Sequence, residues 1–90
     1  MKTVIKKIIH DALEKAQQEG ELELSSFPEI VVEKPKDEKM GDFSTNIGMT
    51  LARSERKNPK TIAESVARHL KSGDISKVEV AGPGFINIKM

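Results

Sequence analysis

Phe85, Asn87 and Lys89 stand at alternate positions near the end of the chain, separated by Ile86 and Ile88. Side chains alternate between faces along a strand, so the isoleucines share one face and the other three residues share the opposite one. A core takes the isoleucines and leaves an aromatic ring, a carboxamide and an ammonium group on the open side of a sheet. RNA offers partners for all three: a base to stack on the ring, a base edge for the amide, and a backbone for the cation. The same pattern also fits a phenylalanine covered by a loop or helix, with Asn87 as an ordinary surface residue. A second cationic group, Arg53, Arg56, Lys57 and Lys60, gathers at one inter-helix corner. It can meet phosphates or stand in solvent.

The residue types exclude more than they assign. The chain has no cysteine, so it has no thiolate nucleophile, disulfide or thiolate metal site. His10 and His69 lie far apart in predicted helices, without cysteine or carboxylates at a spacing typical of zinc, and no metal site is expected. No serine stands in a nucleophile-elbow context. Glu19, Glu21 and Glu23 form a charged stretch with no evident cause for shifted pKa values. No catalytic residue is assigned. A binding or structural module is the first expectation, a protein-interaction domain the second, and an independent enzyme a distant third.

Ninety residues make one small domain, and a formal net charge of +1 is too balanced for a nonspecific DNA or RNA coat. Any nucleic-acid contact must be local and shaped. No apolar run reaches the ~20 residues of a membrane helix. No signal core follows Met1 and Lys2, and the expected location is the cytoplasm.

The elements that must position these residues follow from periodicity. Val4, Ile5, Ile8, Ile9, Ala12, Leu13 and Ala16 recur at helical spacing, which predicts a helix over 3–19 with Thr3 as N-cap and Gly20 as its stop. That stripe packs in a core or docks a partner. Residues 21–26 predict a short strand or an extended connector, and Ile30-Val31-Val32-Glu33 a strand. Lys34 to Lys39 predicts an exposed loop. Gly41-Asp42-Phe43 predicts the opening of a second helix, with Asp42 capping it and Phe43, Ile47 and Leu51 on one stripe. Gly41-Asp42 lacks the glycines and the lysine of a phosphate-binding loop. Asn58-Pro59 predicts the start of a third helix, with Ile62, Ala63, Val66, Ala67 and Leu70 facing inward. Gly82-Pro83-Gly84-Phe85 predicts a type II turn with Gly84 at the positive-φ position, between strands carrying Val78, Val80, Ile86 and Ile88. The expected fold is α+β, about three helices on one face of a mainly antiparallel sheet of three or four strands. Ile5, Ile9, Leu13, Phe43, Ile47, Leu51, Ile62, Val66, Leu70, Val78, Val80, Ile86 and Ile88 form its expected core.

Pro35, then Gly41-Asp42-Phe43-Ser44-Thr45-Asn46, Leu51-Ala52, Asn58-Pro59 with Ile62-Ala63, and Val80-Ala81-Gly82-Pro83-Gly84-Phe85-Ile86-Asn87 run in the order of a known family. They resemble the amino-terminal additional domain of arginyl-tRNA synthetase, over the whole of residues 1–90. The resemblance implies an enzyme that activates arginine with ATP and magnesium and transfers it to its tRNA. In that enzyme a class I catalytic domain and an anticodon-binding domain follow this one. Neither class I signature stands in this sequence, so the 90 residues are expected to be an excerpt without aminoacylation activity of its own. The implied partners are arginine tRNA and the catalytic domain, with no membrane, no DNA and no cofactor on these residues. The implied contact is the D-loop at the outer corner of the tRNA. By position, Phe85 stacks on a base and Asn87 bonds its edge, while Gly82 aligns with a further contact position of some members. Lys89 and the basic corner are possible phosphate contacts. Gly41, Asp42, Phe43, Asn46, Pro83 and Gly84 are expected to serve the fold. The alternative is a structural or protein-interaction domain without RNA contact.

Overall fold

The computed structural model describes residues 2–23, 27–35, 39, 41–70, 73 and 75–90. Its elements run α1 (Lys2–Gln18), β1 (Val32–Glu33), β2 (Phe43–Thr45), α2 (Ile47–Glu55), α3 (Pro59–Arg68), β3 (Lys77–Ala81) and β4 (Phe85–Lys89). The four strands form one antiparallel sheet in the order β1-β2-β4-β3, with the three helices on one face. This is the expected two-layer α+β architecture. Among the described residues no helix is long and apolar enough to cross a membrane.

Helix α1 buries Ile5, Ile9, Ala12, Leu13 and Ala16, while Val4 lies outside the stripe and faces solvent. Each fully buried aliphatic side chain contributes roughly 1.5–3 kcal/mol by leaving water. The helix starts before Thr3, so that residue is not its cap. It ends as expected at Gly20, whose φ is +78°. The Gly20 amide donates to Gln17 O and the Glu21 amide to Ala16 O, a Schellman stop that satisfies two of the last carbonyls. Residues 21–23 form no strand, and 24–26 lie outside the described residues.

The expected opening of the second helix at Gly41-Asp42-Phe43 is wrong. Phe43 to Thr45 is strand β2, and α2 begins at Ile47 behind Asn46. The cause is tertiary: β2 is the bridge between β1 and the central strand β4, pairing Val32 with Thr45, Thr45 with Ile86 and Phe43 with Ile88. Asp42 does not cap a helix. Its amide donates to Ile88 O at 2.9 Å and its carboxylate accepts from the Met90 amide at 2.8 Å. Gly41, with φ +124°, lies so close to β4 that a Cβ would sit 2.9 Å from Ile88 O. Gly41-Asp42 is therefore a clasp on the end of β4. Asn46 receives the first helical bonds on its carbonyl, and the Thr50 hydroxyl donates back to it at 3.3 Å.

Helix α3 starts as read, with the Asn58 side chain accepting from the Lys60 and Thr61 amides at 2.9 and 3.3 Å and Pro59 in the first turn. The β3–β4 hairpin pairs Ala81 with Phe85 around a three-residue loop. Positive φ falls on Gly82, at +56°, and not on Gly84, so the turn is not the expected type II. Gly84 is needed for closeness: a Cβ there would sit 2.9 Å from Met49 Cγ and from Pro59 Cβ. Gly48 faces the same junction, with Gly84 O and Pro59 O at 2.6 and 2.7 Å from its would-be Cβ. Two bare backbones thus let the hairpin turn seat between α2 and α3.

Candidate nucleic-acid interface

Strand β4 is central, so its two faces are both defined by neighbours. Ile86 and Ile88 are fully buried against the helices. Phe43, Val78 and Val80, expected in the core, share this face but are only half-buried. Val78 and Val80 belong to the edge strand β3, which is covered on one side only. The opposite face carries Phe85, Asn87 and Lys89 from β4, Lys77, Glu79 and Ala81 from β3, and Ser44 from β2.

On that outer face the three residues of interest differ. Phe85 is 38% exposed, an aromatic ring open to solvent beside the hairpin turn. A Cβ on Gly82 would touch its Cδ2 at 3.5 Å, so the ring leans toward a residue with no side chain to cover it. Asn87 points outward as its parity requires, yet it is only 8% exposed. Ser44 and Glu79 pair with it on either side. Lys89 is exposed and faces Lys77 across the hairpin. Lys77 holds Glu79 at 3.0 Å.

The basic corner joins the site at its other end. Arg53 lies in the last turn of α2, Arg56 is its left-handed cap at φ 54°, and Lys57 and Lys60 flank Asn58-Pro59. Pro59 abuts Gly84, which places this corner at the hairpin end of the molecule, next to Phe85. The corner belongs to the helix layer, so the cations that share the outer face with Phe85 and Asn87 are Lys89 and Lys77. Gly41 and Asp42 brace the Lys89 end of the line Phe85–Asn87–Lys89, and Asn46, one residue past the Thr45–Ile86 pair, lies at its Phe85 end as the lead-in to α2.

Among the described residues two carboxylate–histidine groups form, one local to α1 and one that joins residues distant in sequence. His10 lies with Asp11 and Glu14 on α1, its Nδ1 at 3.1 Å from Glu14, and its ring stacks at 4.5 Å on Phe27. His69, just after α3, meets Glu19 and Glu21 beyond the end of α1. The Glu21 carboxylate is shared between His69 Nε2 and the Arg68 guanidinium. The hydrogen bond with His69 lowers the Glu21 pKa most, burial opposes it, and Arg68 adds to the lowering. Glu21 was expected to titrate ordinarily; a residue 48 positions away changes that. These ligand types could hold a metal by geometry; as they stand, the His69 group ties the segment after α1 to the end of α3.

The residues 3–90 match the family described as "Arginyl tRNA synthetase N terminal domain". An arginine–tRNA ligase of Geotalea daltonii is 41% identical over 92 residues, covering all of this chain and 16% of the relative. That of Bacillus subtilis is 47% identical over 92 residues, again covering all of this chain and 16% of the relative. Among solved structures, the arginyl-tRNA synthetase of Plasmodium falciparum superposes with a TM-score of 0.81 at 17% identity, over 98% of this chain and 15% of that one. The Thermus thermophilus arginyl-tRNA synthetase gives 0.76 at 20%, over 100% of this chain and 14% of that one. At those identities the structural likeness is one of fold. The chain spans about one sixth of the length of the curated relatives it matches.

Proposed function

The chain belongs to the arginyl-tRNA synthetase N-terminal domain family, and on that premise we propose that its outer sheet face is a tRNA-binding surface. The substrate is arginine tRNA, engaged at the D-loop of its outer corner, in the service of a longer enzyme that joins arginine to it with ATP and magnesium. Phe85 stacks on an unpaired base, Asn87 bonds that base's edge, Gly82 leaves room beside the ring, and Lys89 and the basic corner meet phosphates. Residues 1–90 act as one accessory domain, and the reactive chemistry belongs to the rest of the enzyme.

The single observation that carries this reading is the exposure of Phe85 on the sheet face that also carries Lys77 and Lys89. Base–aromatic stacking contributes on the order of 1–3 kcal/mol per base. The apolar stripe of α1, which a protein-docking domain would present, lies in the core instead.

The test is a binding titration of the 90-residue chain with arginine tRNA, beside Phe85→Ala with Asn87→Ala. Weak, salt-sensitive binding that the double variant loses while keeping its melting temperature supports the reading. Equal binding by the folded double variant overturns the site. Arginine-dependent ATP–pyrophosphate exchange by the pure chain would overturn its accessory role.

A further inference from the structure

His69, at the C-terminal cap of α3, turns its Nε2 toward two carboxylates from a distant part of the chain. Glu19 Oε2 lies 3.2 Å from it, and Glu21 Oε2 is in direct contact with it. The ligand atoms of the three residues all lie within 4.8 Å of one another. An N–H at this place points one hydrogen at two anions, whereas a cation would bond all three atoms. Zinc holds nitrogen and oxygen at about 2.0–2.2 Å, which sets neighbouring ligands of a tetrahedral ion roughly 3.3–3.6 Å apart, close to the observed 3.2 Å between His69 and Glu19. Glu21 Oε1 is held by the Arg68 guanidinium, which also donates to Ser65 Oγ at 3.2 Å. That leaves Oε2 aimed at the imidazole, an orientation that ligating carboxylates commonly receive from their own hydrogen-bond partners. Glu21 is also kept in its ionised form, the form that ligates.

We propose that Glu19, Glu21 and His69 bind one divalent transition-metal ion, zinc by the donor set, through Nε2 and one oxygen of each glutamate, with water in the fourth position. The imidazole proton then sits on Nδ1. One nitrogen with two carboxylate oxygens suits zinc over magnesium, which takes oxygen ligands. The group borders a groove between α1, α3 and β3 that also carries Asp11, Lys15 and Lys77, so water reaches the open side of the ion. The ion fastens the segment after α1 to the end of α3, and the site stands independently of the tRNA reading. Spacing in the sequence hid it, because Glu21 and His69 are 48 positions apart. The other carboxylate–histidine group is the internal control. All its residues come from α1, the His10 ring is stacked on Phe27, and the side chains of His10 and Glu14 are 41% and 47% exposed, against 14% and 23% for His69 and Glu21.

The test titrates zinc chloride into the untagged 90-residue chain, first stripped with EDTA and dialysed, and follows the heat of binding and the ¹⁵N shifts of the His69 imidazole. One equivalent should bind, the Nε2 resonance should move while Nδ1 stays protonated, and the melting temperature should rise to a plateau. His69→Gln should lose the site, Glu19→Gln should weaken it several-fold, and His10→Gln should bind as the parent chain does. A cooperative melt in EDTA shows that each variant folds. Should His69→Gln fail that control, Glu19→Gln, which alters the most exposed of the three side chains, carries the comparison. No saturable binding at one equivalent overturns the proposal, as does zinc that binds the folded His69→Gln or Glu19→Gln chain unchanged, or that is lost in His10→Gln. Magnesium bound as strongly as zinc would reduce the site to surface carboxylates and overturn it too.

Discussion

Two adjacent residues on β4 carry separable consequences. Ile86 has no exposure, so Ile86→Ala should lower stability by about 2–5 kcal/mol, read as a thermal or denaturant midpoint. Phe85→Ala should leave that midpoint nearly unchanged and weaken tRNA binding by about 1–3 kcal/mol, seen in the aminoacylation KM of the enzyme carrying this domain. Arginine activation without tRNA should not move. A similar stability loss in both variants would contradict the alternation. Thr45 makes a different case, because among the described residues its buried Oγ1 has no hydrogen-bond partner, and it pairs with Ile86 and Val32. Thr45→Val should raise stability by about 1 kcal/mol, since an unsatisfied buried hydroxyl costs about that much or more. A lower midpoint would show that the hydroxyl is bonded after all. The facing of these side chains was legible because strand parity needs only one strand. The burial of Asn87 was not, because its neighbours are Glu79 across the hairpin and Ser44 from β2, a strand distant in sequence.

At the scale of elements, the hairpin turn approaches α2 and α3 closely through Gly48 and Gly84. Propensity alone says that Gly48→Ala stabilises a helix by about 1 kcal/mol. The junction says the reverse, because the new Cβ would meet two backbone carbonyls at 2.6 and 2.7 Å. Net destabilisation of roughly 1–3 kcal/mol is expected from a thermal melt. A rise in stability would mean that the turn can back away from α2. Asn58-Pro59 was legible because a cap and a first-turn proline act locally. Phe43-Ser44-Thr45 was misread because Phe43, Ile47 and Leu51 fit a helical spacing by coincidence. A three-residue strand has little local signal, and its conformation is set by pairing with β4 and β1. The Gly82–Gly84 loop was recognised as a turn, but the positive φ expected of Gly84 falls on Gly82, and Gly84 serves close approach instead.

Across the whole molecule, the ends of α1 and α3 are tied through Glu21, His69 and Arg68. The folded Glu21 pKa lies below its unfolded value, so its stabilisation is complete above the ordinary glutamate range, about 4.3, and is lost as pH falls through the lower folded value. Glu21→Gln should therefore be less stable than the parent chain near neutrality and converge with it in acid. Parallel curves of melting temperature against pH would contradict this. The tie lies between the helices, away from the outer face of the sheet, so the variant should bind tRNA as the parent chain does. The overall architecture was legible from periodicity and turns, while this tie depends on side chains 48 positions apart. The central claim concerns that outer face, and shift mapping of the 90-residue chain with arginine tRNA tests it most directly. The account predicts changes concentrated at Phe85, Asn87, Lys89, Lys77 and Gly82 and at the corner of Arg56, Lys57 and Lys60, with the solvent face of α1 silent. Changes confined to α1, or none on β4 at saturating tRNA, would contradict it.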